Sequence, residues 1–191
     1  MLLFIAIAGV LLLALLTATL IGAMLDPAVT EAATIELPGE QDRAIRVLSE
    51  VERYHAWLPS VNHTVPIAPL KWRENGVFGA HIVARTETFA SGGATLSDLA
   101  MDPNEPSDQG ARSFQRVWSV VNADGGTGAH TASTAMPTTR VHLSITRHVA
   151  NPLGRFVHRY IRGEADHERK TLQALARQLG VNATALTASS S

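Results

Sequence analysis

The first twenty-five residues carry no charged side chain. From Leu2 to Leu25 the chain is Leu, Ile, Ala, Val and Phe, relieved by Gly9, Thr17, Thr19, Gly22 and Met24. At about 1.5 Å per residue these positions make a helix of roughly 36 Å, enough to cross a hydrocarbon core of about 30 Å with some tilt. The competing reading is a cleaved secretory signal, which needs a basic start, an apolar stretch of about 7–15 residues and a small-x-small cleavage site. Here no Lys or Arg precedes the run, the run is longer, and Ile21-Gly22-Ala23 is a poor cleavage site. The reading adopted is a retained anchor over residues 1–25.

Orientation rests on the flanks. No Lys or Arg occurs before Arg43, and the exit flank carries Asp26, Glu31, Glu36, Glu40 and Asp42. Basic residues near a span hold their side in the cytoplasm, so an acidic exit places the rest of the chain outside, on the extracytoplasmic side.

The 166 residues beyond Leu25 suit one domain. Cys is absent, which excludes thiol nucleophiles, Cys-ligated zinc and iron–sulfur clusters. The net charge is −1. It divides into an acidic stretch from Asp26 to Glu52 and a modest basic region from Arg140 to Arg177. This is no nucleic-acid signature, which asks for a strongly basic domain with clustered Lys and Arg.

Residues 26–33 read as a linker. Thr34 to Leu37 alternates as a strand, and Pro38-Gly39-Glu40 opens a helix with Ile45, Val47, Leu48 and Val51 on its buried side. Tyr54 to Leu58 makes a second short helix, stopped by Pro59. Strands and turns fill the middle, with Glu74-Asn75-Gly76 and Ser91-Gly92-Gly93 as hairpin turns. A polar loop spans Asp102–Gly110, and a further strand lies around Thr127 to Thr134. Phe114, Trp118 and Val120 share one strand face, as do Val141, Leu143, Ile145 and Val149. Asn151 then caps a long helix with Pro152 at its first position, with a possible break at Gly163. Its stripe runs through Ala165, Glu168, Leu172, Leu175, Ala176 and Leu179 to a C-terminal Gly180. The Ala, Thr and Ser of residues 181–191 read as a disordered tail.

This order resembles the START-like helix-grip superfamily, also called SRPBCC, and within it the polyketide cyclase/dehydrase-like group. The similarity lies in Glu52-Arg53-Tyr54-His55-Ala56-Trp57-Leu58-Pro59, in Lys71-Trp72-Arg73-Glu74, and in Trp118 followed by Gly125-Gly126-Thr127. It continues in Asn151-Pro152-Leu153-Gly154-Arg155-Phe156 and in Thr171-Leu172-Gln173-Ala174-Leu175-Ala176. The resemblance implies an α+β fold: a curved antiparallel sheet packed on a long C-terminal helix over residues 34–180, preceded here by one transmembrane helix. It also implies a cavity between helix and sheet. The cavity candidates are Trp57, Trp72, Phe78, Ile82, Phe114, Trp118, Leu143, Phe156 and Tyr160.

Catalytic motifs do not emerge. His142 and His148 lie on one strand face but roughly 20 Å apart at about 3.3 Å per residue, too far to share an ion, and no His pair has a ligand spacing. Neither a metal nor a cofactor is implied. Gly125-Gly126-Thr127-Gly128 lacks the Lys of a phosphate loop. His81, Arg85 and Glu87 are the strand residues able to supply acid–base chemistry if they face inward. Arg155, Arg159 and Arg162 share a helix side and read as a solvated basic face, with contact to anionic headgroups as the other reading. The expectation is a membrane-anchored module that binds a small apolar ligand such as a lipid, quinone or polyketide-like molecule. The alternative is a cyclase or dehydratase enzyme, and a third possibility is a partner-docking role.

Overall fold

The computed structural model describes residues 1–39, 41–77, 79–103, 112–123, 138–149, 151–160, 166–181 and 185–190. The apolar run forms α1 (Leu2–Met24). It is long and apolar enough to cross a membrane, with a mean hydropathy of 2.7. Pro27 follows α1, and β1 (Ala28–Pro38) begins at once, so the stretch read as a linker is mostly strand. Its inward side chains Glu31, Ala33, Ile35 and Leu37 are buried, which extends the alternation of Thr34–Leu37 backwards towards the span.

Two short helices follow, α2 (Gln41–Ser49) and α3 (Tyr54–Trp57), joined by a 3-10 turn over Val51–Arg53. The C-cap of α3 is Leu58, ahead of Pro59 as expected. Six strands come next: β2 (Val61–Ala68), β3 (Lys71–Gly76), β4 (Gly79–Ala90), β5 (Gly93–Met101), β6 (Arg112–Asn122) and β7 (Thr138–His148). Each pairs antiparallel with the next, and β7 returns to pair with β1 from Ala28 opposite His148 to Pro38 opposite Thr138. The result is a curved antiparallel sheet in the order β2-β3-β4-β5-β6-β7-β1, with a last strand, β8 (Ala185–Ser190), beside β1.

The turn read at Glu74-Asn75-Gly76 lies further along. Asn75 is in the ladder opposite Ala80, and the positive φ, 124° at Gly39 and 97° at Gly79, belongs to other glycines. Gly76 is required for a different reason. A Cβ there would stand 1.8 Å from the Ser60 carbonyl oxygen. The strand read around Thr127–Thr134, the loop around Asp102–Gly110 beyond residue 103, and Phe78 lie outside the described residues.

In the region read as one long C-terminal helix the described residues form α4 (Pro152–Tyr160) and α5 (Asp166–Gln178), and the break read at Gly163 lies outside them. The Asn151 carboxamide accepts the Leu153 N–H at 3.0 Å, which is the expected N-cap. Only α5 joins the domain core. Leu172, Leu175, Ala176 and Leu179 are buried in one cluster with sheet residues Ile35, Leu96, Trp118 and Leu143. Gly180, at φ 68°, ends α5, with its N–H on Arg177 O and the Val181 N–H on Ala176 O, a Schellman pair. The tail read as disordered forms β8 (Ala185–Ser190) along β1.

Helix α4 packs on α1 instead. Its Leu153, Phe156 and Val157 face Val10, Leu13, Ala14, Thr17, Ala18 and Ile21 of α1.

Candidate functional site

The inward face of the sheet is formed by alternate residues, and three neighbouring strands each place a charge among apolar groups there. On β4 the buried set is His81, Val83 and Arg85; on β5 it is Ala94, Leu96, Asp98 and Ala100; on β6 it includes Phe114, Arg116, Trp118 and Val120. Register sets Arg85 opposite Asp98, and Asp98 opposite Arg116. The row therefore reads cation, anion, cation, the favourable arrangement for directly opposed strand residues.

These charges close on one another. The Arg85 guanidinium grips Asp98 with Nε to Oδ1 at 2.6 Å and Nη2 to Oδ2 at 3.1 Å. Its Nη1 donates to Leu48 O at 2.6 Å, and Nη2 also donates to the Tyr54 hydroxyl. Arg116 donates from Nε to Asp98 Oδ2 at 3.0 Å and from Nη2 to Glu74 Oε2 at 3.1 Å. The Trp72 indole N–H reaches the same Glu74 oxygen at 3.3 Å. All four ionic side chains are at most 6% exposed. Both guanidiniums stack by aromatic rings, Arg85 5.1 Å from the Trp72 centroid and Arg116 5.4 Å from that of Tyr54.

Burial by itself would weaken the hold of both arginines on their protons. For Arg85, Tyr54 and Asp98 outweigh it; for Arg116, Glu74 and Asp98 do. Both pKa values rise, and both side chains stay charged. Burial pushes the Tyr54 phenol up to about 12, with Arg85 acting in the opposite sense. Tyr54 donates to Leu48 O and stays neutral. Two cations and two anions thus form a buried quartet of balanced charge.

Arg147 makes a second bridge under α5. It joins Glu31 of β1 at 2.6 Å to Glu168 of α5 at 2.9 Å, which accounts for the one acid in the helix's apolar stripe. Burial raises the Glu168 pKa; Arg147 pulls it down and Glu31 pushes it up.

Of the cavity candidates, Trp57, Trp72, Phe114, Trp118 and Leu143 come together. They pack on each other within the single core cluster, Trp57 and Trp118 with ring centroids 6.2 Å apart. Ile82 does not join them. It is only half-buried, between buried His81 and Val83, because the register turns the odd-numbered side of β4 inward. Phe156 and Tyr160 lie on α4, which packs on α1, their rings 5.0 Å apart. Among the described residues, no three His, Asp or Glu side chains are grouped to hold a metal ion.

Open space occurs instead at the sheet's edge. A groove of about 400 Å³ lies between the end of α2 and the tip of the β2–β3 hairpin. Trp72, Arg85 and Glu87 line it with Val51, Glu52, and the hairpin residues 66–71. Its size falls within the range of about 300–1,000 Å³ usual for small-molecule sites. The hairpin tip is apolar and outward: Ile67 is 52% and Leu70 50% exposed. Leu70 has φ 56°, a left-handed conformation that costs a branched residue about 1–3 kcal/mol. Its carbonyl accepts the Arg85 N–H at 2.8 Å, which fixes the tip to β4. Glu87 Oε1 stands 4.0 Å from Arg85 Nη1, 20% exposed.

Sequence reading missed Tyr54, Glu74, Asp98 and Arg116, and missed the hairpin as a groove wall. The available signal was a charge with apolar residues two places either side on successive strands: Leu96-x-Asp98-x-Ala100 and Phe114-x-Arg116-x-Trp118.

Solved structures share this fold. The chain is similar to a START superfamily protein from Mycobacterium smegmatis, at 14% identity and a TM-score of 0.50 over 79% of this chain and 99% of that one. It is also similar to a conserved protein from Geobacillus kaustophilus, at 11% identity and a TM-score of 0.52 over 81% and 98%. A third is the protein XoxI from Bacillus cereus, at 11% identity and a TM-score of 0.50 over 78% and 94%. No protein-family model and no curated protein matches the sequence. The fold is thus START-like and helix-grip in kind.

Proposed function

We propose that this chain is a membrane-anchored binding module that holds a small ligand with an apolar body and a polar end. The observation that carries the reading is the groove beside Trp72. Its apolar walls are Val51, Pro66, Ile67, Pro69 and Leu70, and the polar groups Ser49, Glu52, Lys71, Arg85 and Glu87 stand among them. Apolar walls that carry a ligand's body, with polar groups among them to fix its orientation, are the form such a site takes. The anchor keeps the groove close to a bilayer, where apolar ligands concentrate, and the domain stands on the extracytoplasmic side.

The cyclase or dehydratase alternative draws on Glu87, the groove's acid nearest the buried quartet. Binding is preferred because Arg85 beside it is engaged by Asp98, Leu48 and Tyr54, so Glu87 faces a cation already held in place.

The test compares organic extracts of the full chain, purified in detergent, with those of Ala68→Trp, which fills the groove from its hairpin wall. Mass spectrometry should find one compound near one equivalent in the unaltered protein and strongly depleted in the variant. Identical extracts from two folded proteins would remove the groove from consideration as the ligand site.

A further inference from the structure

The span is not uniform around its circumference. On one face Ala14, Ala18 and Gly22 recur every four residues, the small-residue spacing that lets helices approach closely inside a bilayer. That face is where α4 lies. Gly22 meets Pro152 so closely that a Cβ would stand 1.8 Å from the Pro152 oxygen. Further along, Leu153, Phe156 and Val157 border an apolar groove of about 640 Å³ with Val10, Leu13, Thr17 and Ile21.

Arg155 closes the junction. Its Nε donates to Val149 O at 2.7 Å and its Nη1 to Leu25 O at 3.2 Å, the carbonyl just past the end of the span. The start of α4 is thereby held at the domain end of α1, and α4 runs back along it. A hydrocarbon core of about 30 Å takes up about 20 helical residues. With 23 residues in α1, the stretch Val10–Ile21 lies inside the core, and so does what packs on it.

We propose that α4 is a second membrane-embedded element, entering the leaflet next to the domain, with bilayer acyl chains filling its groove with α1. This rests on the reading of α1 as a membrane anchor. The side chains of α4 suit that position. Leu153, Phe156, Val157 and Tyr160 repeat at helical spacing as an apolar face, and Tyr160 is 60% exposed. Cα–Cβ bonds tilt towards a helix's N-terminus. Arg155 and Arg159 therefore lean back towards the domain end of the span, where long basic side chains reach the phosphate layer. The basic face read as solvated becomes a headgroup contact.

The chain has no cysteine, so single substitutions report cleanly. Leu12→Cys, Tyr160→Cys and Asn122→Cys are labelled with the environment-sensitive NBD fluorophore. The full chain is then reconstituted in phosphatidylcholine–phosphatidylglycerol vesicles with nitroxide-bearing lipids. The Tyr160→Cys probe should emit to the blue of the Asn122→Cys probe, lose at least half its intensity to lipid nitroxides, and resist aqueous iodide. If it matches Asn122→Cys while Leu12→Cys is quenched by lipid, α4 lies outside the bilayer and this inference falls with the anchor intact. If Leu12→Cys also responds only to iodide, the anchor reading falls, and this one with it.

Discussion

Asp98 is the residue on which the interior turns. It is fully buried and receives hydrogen bonds from two guanidiniums on the strands to either side. Removing one member of a buried ion cluster costs about 3–5 kcal/mol, because its partners' charge stays in a medium that cannot solvate it. Asp98→Ala should lose about that much in urea unfolding of the full chain in micelles, followed through the tryptophans. The control is Glu36→Ala. Glu36 pairs with Arg140 at 2.6 Å, but their side chains are 34% and 48% exposed, and such pairs contribute about 0–1 kcal/mol. Equal losses in the two variants would show that the quartet is solvated and does not hold the core. The same contrast bears on chemistry: buried charge here is spent on satisfying buried charge.

Among the elements, α5 is where pH acts on the fold. The His167 pKa is lowered from 6.5 to about 4, by burial first and then by Arg147, with Arg116 and Lys170 acting in the same sense and Glu31 opposing them. The folded state thus binds this proton less tightly than the unfolded chain does, and protonation favours unfolding. Its contribution is fully present above pH 6.5 and is lost as pH falls towards 4. Glu168 next to it has a raised pKa from burial. It works in the opposite sense, with stability lost as pH rises above the ordinary carboxylate value. The two slopes partly cancel in the native chain. His167→Gln should therefore gain in unfolding midpoint relative to the native protein between pH 6.5 and 4. Parallel midpoint curves across that window would show that His167 titrates alike in both states. Helix α4, of similar amphipathic pattern, went to a different partner. Its apolar face found α1 already beside it, fixed by Val149 and Leu25 through Arg155.

For the whole molecule the governing question is which side of the membrane the domain occupies. The proposal places it outside, since the exit flank is acidic and the first basic residue is Arg43, about 18 positions past the span and at the edge of the window in which such charges count. Alkaline phosphatase fused after Ser191 should be active, and a green fluorescent protein in the same place should be dark. The reverse pattern would put the domain in the cytoplasm while leaving the anchor and the groove untouched. Alkaline extraction should keep either fusion in the membrane pellet.

What the sequence determined by itself is what depends on neighbours along the chain. The uncharged run gives α1. Asn151-Pro152 starts α4, and Gly180 ends α5. Alternation gives the strands of the sheet, and helical spacing gives the stripe of α5 from Glu168 to Leu179. Tertiary structure alone decided which residues meet. Strand period is two, so a shift of one residue reverses every side chain; Ile82 was thereby lost from the interior, and Arg85 gained. The quartet joins residues 13, 18 and 42 positions apart, and Arg155 reaches Leu25 across 130. Pairings at such distances are set by the register of the sheet and by which buried charges can neutralise one another. Neither is a property of any local stretch of sequence.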